Sequence, residues 1–179
     1  ILLRAAEWRG DAGYKWVAQQ GAPEAAASDV LTRGLPSAPP ERHVGLFVLP
    51  MDPTILRWSG RPVFPDYPPP HRRPNLPAEE TFDKISLRGA WDRDADYLRL
   101  QGFGAGGHGH PDANAVSQYP SKGRLWLFDG DFIRRAPWNH NMVMVIRDGE
   151  HGPIPVSARL DAAEEFPGGA VTRTTLPDY

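Results

Sequence analysis

The sequence GAGGHGHPDAN occupies residues 104–114, between two segments that alternate apolar and polar residues as strands do. Its glycines allow the backbone to adopt angles that other residues resist and to pass close to another group. His108 and His110 are one residue apart, so both imidazoles point to the same side if the chain stays extended. A glycine-rich bend with two histidines beside Asp112 and Asn114 is typical of a chemical site, and the alternative is a pair of structural histidines.

The alternation continues on both sides of this motif, from residue 81 to residue 157. Short polar segments rich in Asp, Gly and Lys interrupt it at residues 92–96, 121–123 and 148–149, where they predict hairpin turns. Five or more strands joined by such turns favour an antiparallel sheet that forms part of a β-sandwich.

The chain before residue 81 has a different character. Residues 1–33 are rich in alanine and place apolar side chains at helical spacings, whereas residues 44–49 form a short apolar run typical of a strand. Prolines crowd the stretch that follows. We therefore expect an α+β chain with a helical domain over residues 1–59, an extended linker over 60–80 and a β-sandwich domain over 81–179.

Three residues outside one another's immediate sequence neighbourhood form a candidate metal site. His110 lies in the motif, Asp129 ends an apolar strand-like segment, and His140 precedes another. Two imidazole nitrogens and one carboxylate oxygen suit zinc with a fourth position open. The alternative without a metal is a hydrogen bond between Asp129 and His140 at the ends of their strands.

Composition excludes several classes of partner. The chain has 20 basic and 22 acidic residues and a formal net charge of -2, which gives no reason to expect binding to nucleic acid. Cysteine is absent, so there is no disulfide framework. No apolar run approaches the roughly 20 residues that a membrane-spanning helix needs.

A resemblance to a known family rests on several of these segments. Residues 88–92, 97–100, 106–114, 127–129 and 140–143 are similar to motifs of the heparinase II/III-like polysaccharide lyases. The resemblance implies an (α/α) toroid followed by a large antiparallel β-sandwich, and it makes residues 1–59 the end of the toroid. It also implies cleavage of uronate-containing polysaccharides, such as heparan sulfate or alginate, by β-elimination in the bacterial periplasm or outside the cell.

The resemblance assigns roles to individual residues. His108 matches a histidine that lines the active cleft, where it would act as a base or contact a carboxylate. His110, Asp129 and His140 match positions that hold a structural Zn²⁺. We expect supporting roles for Asp112, Asn114 and Asn141, the two asparagines through amide hydrogen bonds that orient the ligands. Arg88 and Trp91 are candidate contacts to an acidic polysaccharide substrate.

The chain also departs from the family. It has Asp129-Gly130-Asp131 where members often have Asp-x-Gly. None of Tyr14, Tyr67 and His71 matches the toroid's acid/base tyrosine or its uronate-neutralising asparagine and histidine. We therefore expect a fragment of a larger enzyme, with a truncated sandwich and no activity of its own.

Two other functions remain open at this stage. One is a zinc hydrolase in which His108, His110 and Asp129 hold one metal ion with a bound water. The other is a carbohydrate-binding sandwich without catalysis, in which the histidines are structural and three tryptophans contact sugar: Trp91, Trp126 and Trp138.

Overall fold

The computed structural model describes residues 2–30, 32–40, 44–53, 75–104, 110–129, 136–177 and 179. The chain divides into one compact unit over residues 1–43 and a second over residues 44–179.

The first unit is helical, with α1 (Leu2–Arg9), α2 (Ala12–Gly21) and α3 (Pro23–Ser28). Asp11 begins α2, since its side chain accepts a hydrogen bond from the backbone of the first turn. Lys15 of α2 is buried and donates hydrogen bonds to the carbonyl oxygens of Thr32 at 2.7 Å and Leu35 at 2.6 Å. These bonds tie the segment that follows α3 to α2. The helices predicted over residues 1–33 are present, whereas their membership of a toroid stays a prediction.

The helices of the described residues are short, and the longest of them, α2, has 10 residues. Within the described ranges, no helix has both the length and the apolar character required to cross a membrane.

The second unit is built on a five-stranded antiparallel sheet whose strands are neighbours in sequence order. Its strands are β1 (Gly45–Pro50), β2 (Phe82–Arg88), β3 (Tyr97–Gln101), β4 (Val116–Ser121) and β5 (Arg124–Phe128). Two antiparallel hairpins follow, formed by β6 (Ile146–Arg147), β7 (Glu150–His151), β8 (Arg159–Phe166) and β9 (Gly169–Thr175). The predicted antiparallel sheet is therefore confirmed.

Two of the hairpin turns form where the sequence predicts them. β4 and β5 are joined by Lys122 and Gly123, with φ of 51° and 71°, and β6 and β7 by Asp148 and Gly149, with φ of 55° and 83°. Positive φ at both central residues is the conformation that matches the twist of two adjacent strands.

The core of this unit lies on one face of the sheet. Phe82 and Ile85 of β2 are 1% and 2% exposed and pack with Ala158. Leu100 of β3 and Leu160 of β8 contact the same cluster, so the β8–β9 hairpin supplies a second layer over the sheet. Burying a Phe or Ile side chain contributes roughly 1.5–3 kcal/mol, which makes this cluster a main source of stability.

Close backbone packing anchors the segment that enters the glycine–histidine motif. Gly102 donates a hydrogen bond to Asp83 and accepts one from Ala158, both at 2.8 Å. A Cβ at Gly102 would lie 2.2 Å from the carbonyl oxygen of Phe82, so only glycine fits there. Gly104 then donates to the carbonyl of Val156 at 2.8 Å, which holds the start of the motif against the second layer.

The boundary between the units differs from the one expected at residue 59. Residues 45–50 form β1, which pairs along its length with β2 and therefore belongs to the sheet. The pairing joins segments more than thirty residues apart, which the local composition does not reveal. Of the linker expected over residues 60–80, residues 60–74 lie outside the described residues.

Candidate metal centre

Three loops around the start of β4 bring the candidate site together. Asp112 lies before β4, Asp129 follows β5, and His140 follows a single 3-10 turn at residues 137–139. The backbone N–H of Asp129 donates to Ser117 at 3.0 Å, so this carboxylate is held by the ladder between β4 and β5. The sheet therefore positions side chains that are distant in the sequence.

Asp129 and His140 form a buried pair. The Nδ1 of His140 lies 2.8 Å and 2.9 Å from the two carboxylate oxygens of Asp129. The side chains are 1% exposed for His140 and 7% for Asp129. Because an ionised carboxylate only accepts hydrogen bonds, this contact places the ring proton on Nδ1. The strand-end hydrogen bond considered from the sequence is therefore present.

Asp112 completes a group of three side chains that could hold a metal ion. One ligand atom each from Asp112, Asp129 and His140 can be chosen so that all lie within 4.8 Å of one another. Burial raises the pKa of Asp112 to about 6, the positive charge of His140 opposes this rise, and the negative charge of Asp129 adds to it. A nearby cation would stabilise the ionised form of this buried carboxylate, because the positive charge offsets the hydration that burial removes.

His110 lies beside this group. Its ring is nearly edge to face with that of His140, with centroids 5.5 Å apart and an interplanar angle of 73°. The sequence predicts His110 among the ligands and Asp112 in a supporting role. The structure brings Asp112 into the group of three and places His110 against the His140 ring.

The two asparagines act on the backbone of the site. Asn141 exchanges hydrogen bonds with Val116, receiving one at its carbonyl at 2.9 Å and donating one from its amide at 3.2 Å. It thereby extends the ladder of β4 and fixes the neighbouring His140. Asn114 has φ of 66°, and its side-chain oxygen accepts a hydrogen bond from Thr174 at 2.7 Å. These contacts hold the loops of the site, in place of the amide bonds to the ligands that we expected.

The two expected substrate contacts lie at the end of β2. The guanidinium carbon of Arg88 is 4.2 Å from the ring centroids of both Trp91 and Tyr97. Arg88 and Tyr97 are directly paired across β2 and β3, and the backbone of Gly89 bonds to Asp96 to close the following turn. The guanidinium thus contacts two aromatic rings, a favourable cation–π arrangement that restricts its orientation.

His108, the expected catalytic residue, lies outside the described residues, as does Asp131 of the altered turn. The catalytic assignment of His108 therefore stays a prediction.

The described residues fit a zinc ion. Carboxylate and imidazole are zinc ligands, and an ion with bonds of about 2.0–2.2 Å in tetrahedral geometry separates its ligand atoms by about 3.3 Å. The ligand atoms of the group of three lie within 4.8 Å of one another, which brings the three side chains close enough to approach one ion. Nε2 of His140 is also buried and has no hydrogen-bond partner among the described residues. A buried ring nitrogen without a partner is destabilising unless an ion or water binds it.

From the sequence, only a supporting role is predicted for Asp112. The available signal was its position two residues after His110 in a Gly- and Pro-rich turn, a spacing that lets one bend present both side chains. Burial, which gives Asp112 its raised pKa, comes from the packing of separate loops and is not visible in the local sequence.

Comparison with protein-family models, with curated proteins and with solved structures found no match to this chain.

Proposed function

We propose that the chain is part of a polysaccharide lyase of the heparinase II/III-like type, which cleaves uronate-containing glycans by β-elimination and holds a structural zinc ion. One observation carries the proposal. Asp112 lies within the motif of residues 104–114, and it meets Asp129 and His140, from two other loops, in one cluster. Two of these three residues are ligand positions that the resemblance assigns.

Burial favours a structural role for the metal. The side chains of His140 and Asp129 are almost entirely removed from solvent. Structural zinc sites are closed, whereas catalytic ones keep a position open to water or substrate. Zinc bound here would tie together the loops that precede β4 and follow β5, and so stabilise the segment that carries His108.

The chemistry of elimination would then belong to side chains. A uronate must have its carboxylate charge neutralised, lose the proton at C5 and receive a proton on the leaving oxygen. A histidine is neutral or charged near neutral pH, so His108 suits either the proton transfer or the contact to the carboxylate. A positioned proton transfer contributes about 10²- to 10⁴-fold in rate.

Arg88 is a suitable group for the acidic substrate. Its aromatic neighbours, Trp91 and Tyr97, each lie 4.2 Å from the guanidinium carbon, and the N–H groups lie at the edges of the guanidinium plane. Within the described residues, Arg88 forms no ion pair. A guanidinium held in this way is prepared to bind a planar carboxylate through two parallel hydrogen bonds.

The test uses the protein expressed from its complete reading frame. It is incubated with alginate, with heparan sulfate and, as a control, with a neutral glucan that has no uronate. The proposal requires products with the ultraviolet absorbance of an unsaturated uronate from an acidic glycan and none from the glucan.

A His108→Ala variant tests the assignment of that residue, with His151→Ala as the matched control. We expect His108→Ala to lose about 10²-fold or more of the eliminative rate. New reducing ends without ultraviolet absorbance would instead favour a zinc hydrolase. Glycan binding without cleavage would favour a carbohydrate-binding module.

A further inference from the structure

The two faces of the five-stranded sheet differ in chemistry. Val48, Ile85 and Leu100 are paired across β1, β2 and β3, and they belong to the core cluster on one face. Side chains alternate between the two faces of a strand, so the adjacent row points away from this core. We call the side of the sheet that carries this row the outer face. The row crosses all five strands and consists of Phe47, Ser86, Arg99, Gln118 and Phe128.

The row is aromatic at its ends and polar in its middle. Phe47 is 40% exposed and Phe128 is 62% exposed, and the three residues between them are partly exposed. With strands about 4.8 Å apart, the row spans about 19 Å. A surface of this kind suits a linear saccharide, because the C–H groups of a sugar ring pack on aromatic rings and its polar groups bond to side chains such as Arg and Gln.

The charge on the outer face is positive. Arg99 lies in the row, and Arg88 and Lys84 lie on the same face of β2. The one acidic residue in β1 to β5 is Asp83, which is paired with Lys84 at 2.8 Å. Neither arginine forms an ion pair within the described residues. Two arginines without a paired carboxylate favour an anionic ligand over a neutral one.

The sheet holds the two arginines at a fixed spacing. Arg88 is directly opposite Tyr97, and Arg99 follows two residues later in β3, so the arginines are diagonal neighbours about 7–8 Å apart. Nε of Arg99 donates a hydrogen bond to Oγ of Ser117 at 2.8 Å, which leaves the terminal N–H groups for a ligand. The two guanidinium groups can therefore bind separate carboxylates of one polymer.

We propose that the outer face binds a uronate-containing polysaccharide that lies across the strands, with carboxylates on Arg88 and Arg99 and a sugar ring on Phe128. The inference takes its ligand class from the proposed function. It assigns binding to residues outside the metal cluster, so it requires no zinc ion.

The first test is affinity electrophoresis of the chain in gels that contain alginate, with carboxyl-reduced alginate as the neutral control. Arg99→Gln should bind alginate about 10-fold or more weakly, the loss expected for a hydrogen bond to a charged group. Phe128→Ala should lose about 2- to 10-fold, the loss expected for one aromatic contact. An Arg99→Gln variant that binds as the wild type does would overturn the proposal, as would equal binding of carboxyl-reduced alginate.

Matched controls separate the outer face from exposed residues elsewhere and from a folding defect. Arg173 and Phe166 are 77% and 53% exposed on the β8–β9 hairpin, so Arg173→Gln and Phe166→Ala should bind alginate as the wild type does. Ser117→Ala removes the hydrogen bond to Arg99 and keeps the charge, so it should bind more tightly than Arg99→Gln. The reverse order would contradict a direct contact between Arg99 and the glycan.

The second test needs no substitution and so does not depend on a variant folding. Amide NMR of the wild-type chain is recorded during titration with alginate oligosaccharides. We expect the largest shifts in β2, β3 and β5, and shifts confined to β8 and β9 would overturn the proposal. A DNA oligonucleotide that displaces alginate at equal charge concentration would also overturn it, because the face would then bind polyanions without preference for uronates.

The elimination assay gives an independent result for the proposed function. Binding that depends on Arg99 without unsaturated products would leave the binding surface standing and refute the lyase. Unsaturated products together with unchanged binding by Arg99→Gln would refute the binding surface alone.

Discussion

Replacing Asp112 with asparagine should stabilise the metal-free chain at neutral pH. Burial raises the pKa of this carboxyl from 3.8 to about 6, so in the folded protein its ionised form is disfavoured. An acid with a higher pKa in the folded than in the unfolded chain holds its proton more tightly when folded. Its contribution to stability is therefore full below pH 4 and is lost as the pH rises through 6.

The size of the effect follows from the two pKa values. Each unit of pKa difference corresponds to about 1.4 kcal/mol, so ionised Asp112 lowers the free energy of unfolding by about 3 kcal/mol above pH 7. About half of this loss develops above pH 5. Asparagine keeps the shape of the side chain and removes the charge, so the variant avoids this loss.

The assay is urea unfolding in the presence of a chelator, followed by circular dichroism between pH 5 and pH 8. The difference in unfolding free energy between Asp112→Asn and the wild type should grow with pH and favour the variant. Asp92→Asn changes an exposed carboxyl and should show no such trend. With zinc at 1,000 times its dissociation constant the order should invert, because the ion then stabilises the wild type by about 4.1 kcal/mol, more than the roughly 3 kcal/mol that the variant gains.

The reasoning would be refuted if Asp112→Asn were less stable than the metal-free wild type at pH 8. It would also be refuted if the difference between the two proteins did not change with pH.

Three further substitutions test the fold and the candidate substrate contact. Gly102→Ala should destabilise the chain by about 1–3 kcal/mol in urea unfolding, because its Cβ would lie 2.2 Å from the backbone oxygen of Phe82; an unchanged midpoint would refute this packing. Asn75→Ala removes hydrogen bonds to both backbone groups of buried Ser157, so we expect a loss of about 1–3 kcal/mol in the same measurement, and a loss below that range would contradict it. Arg88→Met should cost about 1–2 kcal/mol and change the tryptophan fluorescence, since it removes both cation–π contacts; unchanged fluorescence would contradict the stacked geometry.

The strands of the sheet can be predicted from the sequence because the residue patterns that indicate them are local. Strands β2 and β3 alternate apolar and polar side chains, β5 is a short apolar run, and turns such as Lys122-Gly123 and Asp148-Gly149 carry residues that tolerate positive φ. The apolar run at residues 44–49 was also recognisable as a strand. Its partner was not, since β1 pairs with a strand that begins at Phe82, and pairing over that distance depends on the tertiary fold.

Part of the candidate site can also be predicted from the sequence, because the chemistry of individual residues is visible there. Residue chemistry indicated Asp129 and His140, which the structure places in direct contact. In their observed geometry, Nδ1 of His140 is bonded to Asp129, and Nε2 is buried without a partner among the described residues. This geometry depends on how three loops meet, so neither local sequence predicts it. The same holds for Asn141, whose amide bonds to the backbone of β4 where a ligand contact was expected.

The central claim is that side chains from three loops of this chain form one zinc site. Its most direct test is the zinc content of the purified chain after equilibrium dialysis, measured by elemental analysis. The account predicts close to one zinc per wild-type chain and per His151→Gln chain, and close to none per His140→Gln chain. A wild type without zinc, or a His140→Gln variant that retains it, would contradict the claim.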